Sequence, residues 1–220
     1  MKDERKLRMP MIPLDAIRVI SLAQRQDRRD ALMPELERAI GEGVIPDVPV
    51  EFVNRYPRGR TLVPASWPHM PGYWAASREH FEVLMELWSR GSHLALILED
   101  DAQMLPAFYS EASAFFHEVN AEHPDWLAMF LGGHDVHGYE EKSERVLLSR
   151  GSTQCHAYLV NPPGMWRLVD HLWCRPFEIV DWAYADLMRR DACIYRPRHW
   201  MVTTRAGWSD NRQEEARQGE

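Results

Sequence analysis

The run Leu94 to Leu98, which holds only apolar residues, constrains the fold of this chain more than any other feature. A strand that is apolar on both faces is typical of a parallel sheet covered by helices on both sides. The preceding segment, Ala75 to Trp88, has apolar residues at the i, i+3, i+4, i+7 spacing of an amphipathic helix. Leu127 to Leu131 repeats the apolar strand pattern and runs into two glycines. This alternation of helix and strand predicts an α/β fold with a mostly parallel central sheet.

The same patterns predict the remaining elements. Strands are expected at Ile17 to Leu22, Val50 to Val53, Val146 to Leu148 and Cys155 to Val160. Helices are expected at about Ala31 to Ile40, from Pro106 to about Val119, near Met165 to Trp173 and near Trp182 to Arg190. The first of these helices should begin close to Pro34, because a proline in a helix interior removes a hydrogen bond and clashes with the preceding turn. Asn54 to Gly72, rich in Pro, Gly and aromatic residues, predicts a long surface loop over a cleft.

The composition indicates one globular domain. Of 220 residues, 45% are hydrophobic and 27% are charged, which is the balance of an ordinary folded chain. Residues 17–211 are expected to form this domain, with 1–16 as an N-terminal arm and 212–220 as a frayed tail. A net charge of −7 disfavours nucleic acid as a partner, because the summed field repels a polyanion.

The cellular location is inferred from what the sequence lacks. Neither a secretion signal nor an apolar run of about 20 residues, the length of a membrane-spanning helix, is visible, so no transmembrane segment is expected. Cys155, Cys174 and Cys193 are an odd number without C-x-x-C spacing, which supports neither a disulfide framework nor a zinc knuckle. We therefore expect a reducing, cytoplasmic location, with peripheral contact to the inner face of the membrane left open.

Three acids, Glu99, Asp100 and Asp101, follow directly after the Leu94 to Leu98 strand. In open α/β sheets the carboxyl ends of the strands line the ligand crevice. Adjacent carboxylates repel one another and raise each other's pKa, a cost that a divalent cation with oxygen ligands removes. The acids therefore predict a metal or ligand site, with a solvated acidic turn before the helix at Pro106 as the alternative.

The acidic segment Leu96-Ile-Leu-Glu-Asp-Asp101 resembles the L-x-L-E-D-D segment of glycosyltransferase family 25, which includes lipooligosaccharide and collagen galactosyltransferases. Further segments resemble the family in the same order, from about residue 17 to 211. Ile20 to Arg28 resembles the family's I-N-L-D-x-R-x-x-R, with Ser21 and Ala23 in place of Asn and Asp.

Four later segments extend this resemblance. Gly72 to His80 has the spacing of the family's G-x-x-G-C-x-x-S-H, with Ala76 in place of Cys and Glu79 in place of Ser. The remaining segments are Ala157-Tyr158, Ile179-Val180-Asp181, which resembles P-x-D, and Ser209-Asp210-Asn211, which resembles S-D-I.

The resemblance implies a type A nucleotide-diphosphosugar transferase fold and the transfer of a hexose, galactose or glucose, from a UDP-sugar. It implies Mn²⁺ or Mg²⁺ held by Glu99 and Asp101, and an inverting reaction in which Asp181 is the catalytic base. The residues expected to contact the nucleotide-sugar are Ser21, Arg25, Arg28, His80 and Asp100. The implied acceptor is a saccharide or glycolipid, with lipopolysaccharide biosynthesis as the setting. Trp67 and Trp74 are expected to flank the acceptor, because aromatic faces stack against sugar C–H groups.

Each assignment has a competing interpretation. Arg25 and Arg28 also suit a solvated loop, and His80 at the start of a helix also suits capping or packing. Asp181 also suits the N-cap of the helix from Trp182, with Asp186 as a rival base.

Two other functions are also considered. His134-Asp-Val-His137 together with the acids would suit a metal-dependent hydrolase. The changes at Ala23, Ala76 and Glu79 would suit a noncatalytic relative that binds a sugar or a partner protein.

Overall fold

A computed structural model describes residues 10–56, 62–190, 193–209 and 214–216. The helices are α1 (Gln26–Gly41), α2 (Pro71–Ser89), α3 (Pro106–Glu122), α4 (Pro162–Trp173) and α5 (Val180–Arg189). The strands are β1 (Ala16–Ile20), β2 (Val50–Val53), β3 (Ala95–Glu99), β4 (Ala102–Met104), β5 (Ala128–Phe130), β6 (His134–Asp135), β7 (Tyr139–Glu141), β8 (Val146–Ser149), β9 (Ser152–Thr153), β10 (Ala157–Val160), β11 (Ile194–Pro197), β12 (Val202–Thr204), β13 (Gly207–Ser209) and β14 (Glu214–Ala216).

Eight of these strands form one mixed sheet in the order β2-β1-β3-β10-β5-β11-β8-β7. Parallel pairs join β1 to β2, β1 to β3 and β5 to β11. Strands β10 and β8 run antiparallel to both of their neighbours, so the other strands of the sheet all point the same way. The predicted α/β class and mostly parallel central sheet are confirmed, with two reversed strands that the sequence patterns did not indicate.

The two faces of the sheet carry separate hydrophobic cores. Leu96 and Leu98 of β3 pack with residues of α1 and α3, whereas Ala95 and Ile97 pack with residues of α2, α4 and α5. Alternate side chains of a strand point to opposite faces, so a strand between two helical layers must be apolar at every position. The uninterrupted apolar run therefore correctly predicted a strand covered by helices on both faces.

Helix α1 begins eight residues before Pro34, at Gln26, so the expectation that it starts close to the proline was wrong. Pro34 lies in the helix interior on the exposed face. The carbonyl that loses its hydrogen-bond partner there, that of Asp30, can be hydrated, while Leu32 and Leu36 are fully buried on the opposite face. Burial of the apolar face therefore outweighs the local cost of the proline.

Structured residues extend into both segments that were predicted to flank the domain. Ile12 and Leu14, within the predicted arm, are buried in the core with α1 and α3. In the predicted tail, β14 pairs antiparallel with β13, and residues 217–220 lie outside the described residues. Over the described ranges, no helix combines the length and the apolar character that crossing a membrane requires.

Candidate active site

The acids after β3 lie where the carboxyl ends of β1, β2 and β3 meet. The N–H of Asp100 donates to the carbonyl of Ile20 at the end of β1 (3.0 Å), and the N–H of Ser21 donates to the carbonyl of Val53 at the end of β2 (3.0 Å). Strand β10 is antiparallel, so its beginning rather than its end lies beside Glu99, whose N–H donates to His156 O at 2.8 Å. This edge of the sheet therefore collects residues from the early and the late parts of the chain.

Arg28, in the first turn of α1, pairs with two of the three acids. Its Nη1 donates to Asp100 Oδ1 at 2.7 Å and to Asp101 Oδ2 at 3.2 Å. All three side chains are largely covered, with 14% of Arg28, 7% of Asp100 and 22% of Asp101 exposed. The sequence analysis looked to a metal ion to offset the crowded carboxylates, whereas a guanidinium already offsets part of that charge.

Uncompensated negative charge remains at Asp101. Burial and the neighbouring charge of Glu99 raise the pKa of Asp101 to about 7, despite the pairing with Arg28. Its Oδ1 is buried and has no hydrogen-bond partner among the described residues. An orphaned carboxylate oxygen beside other acids is the arrangement that a divalent cation with oxygen ligands satisfies, so these residues fit the metal that the family resemblance implies.

His80 lies beneath this crevice. It is in the middle of α2, nine residues after the helix begins, and is fully buried, so the expectation of a crevice-facing residue at a helix start was wrong. Its Nε2 is 3.3 Å from Glu99 Oε1 and 3.6 Å from Cys155 Sγ, and its Nδ1 is 2.9 Å from the Tyr158 hydroxyl. Burial acts to raise the pKa of Glu99, but the hydrogen bond and charge of His80, together with the charges of His156 and Arg28, outweigh it and leave that pKa below its ordinary value.

Cys155 is the member of the site that the sequence analysis missed. It precedes β10, is 1% exposed, and its thiol faces His80. The cysteines were considered only for disulfides and zinc knuckles, and no local spacing connects Cys155 to residues as distant as His80 and Glu99. Cys155 immediately precedes an apolar strand, and the start of that strand lies beside Glu99 because the strand is reversed. This position could have identified Cys155, but only with the direction of the strand known.

Asp181 is brought to the same cluster. Its Oδ1 accepts a hydrogen bond from the backbone N–H of Cys155 at 2.9 Å. Ile179 is the N-cap of α5 and makes no side-chain cap bond, so the interpretation of Asp181 as the cap was wrong. Burial and the charge of Glu99 raise the pKa of Asp181, which reflects its proximity to the acids after β3.

The rival base Asp186 is in a different environment. Its carboxylate lies 2.5 Å from Arg175, 2.9 Å from Arg189 and 2.8 Å from Arg190. Partial burial acts to raise the pKa of Asp186, but the Arg189 hydrogen bond and the surrounding guanidinium charges lower it. Three cations stabilise the ionised form, which makes this carboxylate a weak proton acceptor.

The loop between β1 and α1 is held by an arginine that the sequence analysis did not single out. Arg29 donates through Nη1 to Ser21 Oγ (3.1 Å) and Leu22 O (2.8 Å), and through Nη2 to Ala23 O (2.6 Å). Arg25 makes two 3.0 Å bonds to Asp27. Of the two arginines predicted to contact the nucleotide-sugar, Arg28 therefore contacts the acids, while these bonds tie Arg25 to α1.

Two other predicted features have structural roles. The indole N–H of Trp67 donates to Met70 O at 3.1 Å, and the ring packs edge-on against Trp74 with only 8% of the residue exposed. Trp67 is thus covered by its own loop, contrary to the expectation that it flanks a sugar. Glu79, one of the departures from the family pattern, is buried and accepts the backbone N–H groups of Arg55 (2.8 Å) and Tyr56 (3.2 Å) after β2.

The His134-Asp-Val-His137 segment does not join the acids. Asp135 accepts hydrogen bonds from Arg196 (2.5 Å) and Ser152 (2.9 Å), while both histidines are exposed. Within the described ranges, the one group of three or more candidate metal ligands whose ligand atoms lie close together is His80, Glu99 and Cys155. His134 and His137 therefore do not form, together with the acids, the metal site of the hydrolase interpretation.

One curated protein with a related sequence bears on the family resemblance. No protein-family model matches the chain. Over 137 residues the chain is 28% identical to a bovine (Bos taurus) protein named "Probable inactive glycosyltransferase 25 family member 3". This match covers 58% of the chain and only 23% of the bovine protein, so the chain spans about a quarter of its relative.

Two solved structures show a partial likeness to this chain. A glycosyltransferase involved in glycosylation of the major capsid of PBCV-1 has a TM-score of 0.40 and 9% identity, covering 74% of this chain and 68% of its own. A UTP-bound UGPase from Acinetobacter baumannii has a TM-score of 0.46 and 11% identity, covering 83% and 69%. At TM-scores this low, neither likeness carries an argument about activity.

Asp210 and Asn211, from the last segment resembling the family, lie outside the described residues.

Proposed function

We propose that this chain is a glycosyltransferase of the family 25 type, which moves a hexose from a UDP-sugar to a saccharide or glycolipid acceptor. The observation that carries the proposal is Asp101 Oδ1, buried beside Glu99 at the carboxyl end of β3 and without a hydrogen-bond partner among the described residues. The family resemblance of the flanking sequence and the 28% identity to the bovine protein support it.

Asp101 and Glu99 would hold Mn²⁺ or Mg²⁺. When bound, such a cation shields the diphosphate charge and stabilises the departing nucleoside diphosphate. Arg28 already lies against Asp100 and Asp101, where a guanidinium group suits diphosphate oxygens. Ser21, Arg25 and Asp100 complete the proposed donor site. His80, fully buried, has the separate role of holding the carboxylate of Glu99 in place.

Asp181 would act as the base. The acceptor hydroxyl oxygen attacks the anomeric carbon, and its proton passes to the Asp181 carboxylate. The bond between the anomeric carbon and the phosphate oxygen breaks, and its electron pair leaves with the nucleoside diphosphate. Attack opposite the leaving group inverts the anomeric configuration. The hydrogen bond from the backbone N–H of Cys155 orients the carboxylate of Asp181.

A noncatalytic sugar-binding role is the second candidate. The named inactivity of the bovine relative favours it, as do Ala23 and Ala76 at positions where the family has Asp and Cys. Glu79 no longer supports it, because this residue supplies the structural contacts that hold the backbone after β2.

The deciding experiment measures UDP binding and UDP release. Calorimetry with UDP is expected to show affinity that depends on Mn²⁺ and falls sharply in Asp101→Asn. Asp170→Asn, which removes a carboxylate on α4 that pairs with Arg167 and lies outside the proposed donor site, is the matched control and should bind normally. Release of UDP from a UDP-hexose identifies a transferase, whereas metal-dependent binding without release identifies the noncatalytic relative. Equal UDP affinity with and without Mn²⁺ would overturn the proposed metal site.

A further inference from the structure

The buried cluster of His80, Glu99 and Cys155 offers three different ligand types. The imidazole nitrogen, a carboxylate oxygen and the thiol sulfur all lie within 4.8 Å of one another. His80 and Cys155 are buried, while 26% of the Glu99 side chain is exposed at the crevice. We infer that this cluster is a zinc site, which shares Glu99 with the oxygen-ligand site proposed around Asp101.

The separations between ligand atoms suit tetrahedral coordination. With Zn–N and Zn–O bonds of about 2.0–2.1 Å and a Zn–S bond of about 2.3 Å, tetrahedral angles give an N···O separation of about 3.3 Å and an N···S separation of about 3.6 Å. His80 Nε2 lies 3.3 Å from Glu99 Oε1 and 3.6 Å from Cys155 Sγ. The two separations that involve His80 therefore match those around one tetrahedral ion, and the oxygen of Glu99 and the sulfur of Cys155 lie within 4.8 Å of each other.

The groups around the cluster orient its ligands. His80 Nδ1 is bonded to the Tyr158 hydroxyl, so Nε2 is left to face the other two ligands. The backbone of Cys155 is fixed by Asp181, and the backbone of Glu99 by His156. Three protein ligands with one side open to the crevice is the arrangement of zinc sites that keep a position for water or substrate.

Charge and ligand chemistry both favour zinc over manganese at these three residues. A thiolate and a carboxylate balance a dication, so the filled cluster is neutral in its buried setting. Thiolate and imidazole ligands select Zn²⁺, whereas carboxylates and water suit Mn²⁺ and Mg²⁺. Because binding needs the thiolate, it releases the proton of Cys155.

Cobalt(II) is the probe, because it replaces zinc and reports a thiolate ligand by absorption. Metal-free protein titrated with Co²⁺ alone is expected to bind one equivalent with a sulfur-to-cobalt charge-transfer band, and Zn²⁺ should displace it. Cys155→Ser should abolish the band, whereas Cys174→Ser and Cys193→Ser, which alter cysteines outside the cluster, should keep it. Glu99→Gln keeps the side-chain volume and should weaken Co²⁺ binding by at least about tenfold.

The result that overturns the inference is a titration without the charge-transfer band, or a band that survives in Cys155→Ser. If Cys155→Ser does not fold, unchanged Co²⁺ affinity in Glu99→Gln overturns it instead. Asp101→Asn should keep the charge-transfer band while losing Mn²⁺-dependent UDP binding. If this variant loses both the band and the UDP binding, the two metal sites are one and the inference is wrong. Since the titration contains no nucleotide, a failure of the proposed transferase activity is distinguishable from a failure of the zinc site.

Discussion

Asp181, in the first turn of α5, accepts a hydrogen bond from the backbone N–H of Cys155 just before β10. The contact ties the helix that supplies the proposed base to the segment beside Glu99. Asp181 thus has a structural role, as the acceptor of this hydrogen bond, and a proposed catalytic role, as the acceptor of a proton. An asparagine amide can accept the same hydrogen bond but cannot take the proton, so Asp181→Asn distinguishes the two roles.

Asp181→Asn is therefore expected to lower kcat by about 10²–10⁴-fold while leaving thermal stability close to normal. Asp181→Ala should lose activity and also leave the Cys155 N–H unsatisfied, at a cost of about 1–3 kcal/mol. Single-turnover rates and thermal melts of both variants check this. Asp186→Asn is the control and should turn over far faster than Asp181→Asn. A normal rate in Asp181→Asn would show that the base is another residue.

Arg28→Gln should destabilise the metal-free protein, because it leaves two largely buried carboxylates without their cation. We expect a loss of about 3 kcal/mol, measured by urea denaturation. Arg25→Gln makes the same change at the N-cap of α1, where Asp27 is 65% exposed, so a loss of less than about 1 kcal/mol is expected. Equal losses in the two variants would contradict the role given to Arg28.

Asp101→Asn should have a pH-dependent effect on the stability of chelator-treated protein. The pKa of Asp101 is raised from 3.8 to about 7, so below about pH 4 the carboxyl is protonated in both the folded and unfolded states and the substitution changes little. As the pH rises toward 7 the unfolded state loses its proton first, which lowers the stability of the original protein. Thermal melts from pH 5 to 8 should show Asp101→Asn gaining stability relative to the original, and a constant difference would contradict the raised pKa.

Gly132→Ala is expected to disturb the packing behind the site. A Cβ at this position would lie 2.2 Å from His156 Nε2 and 2.6 Å from the backbone oxygen of Val202. The neighbouring atoms of His156 or Val202 must move, and a loss of stability of about 1–3 kcal/mol is typical of such overpacking. At Gly41, the last residue of α1, a Cβ would meet nothing within 4 Å, so Gly41→Ala should be neutral or stabilising by up to about 1 kcal/mol. Thermal melts of the pair provide the comparison.

Local patterns in the sequence were enough to predict the elements that bury an apolar face. Strand β2 has the predicted bounds, and α3 begins at the predicted Pro106. The direction of β10 could not be predicted in this way, because the hydrophobic pattern of a buried strand is the same in both directions. Cys155 was missed for this reason, since its place depends on which end of β10 lies beside Glu99, whereas His80 was misjudged because α2 begins at Pro71.

Sequence patterns also could not predict which cations pair with the acids. Arg28 was named as a ligand for diphosphate, and its pairing with Asp100 and Asp101 depends on how α1 leaves the sheet. At Pro34 a local rule gave the wrong answer. Proline disfavours a helix interior, but burial of the helix face that carries Leu32 and Leu36 outweighs that cost.

The reversed strand β10 has a consequence for the order in which this chain can fold. It fills the space between β3 and β5, so the N-terminal and C-terminal parts of the sheet have no hydrogen bonds to each other until it is in place. During synthesis the acids of the turn after β3 emerge long before Cys155, and the cluster cannot assemble from the nascent N-terminal half. Until β10 docks, β3 and β5 present open edges to each other, and an unpaired strand edge is a place where chains aggregate.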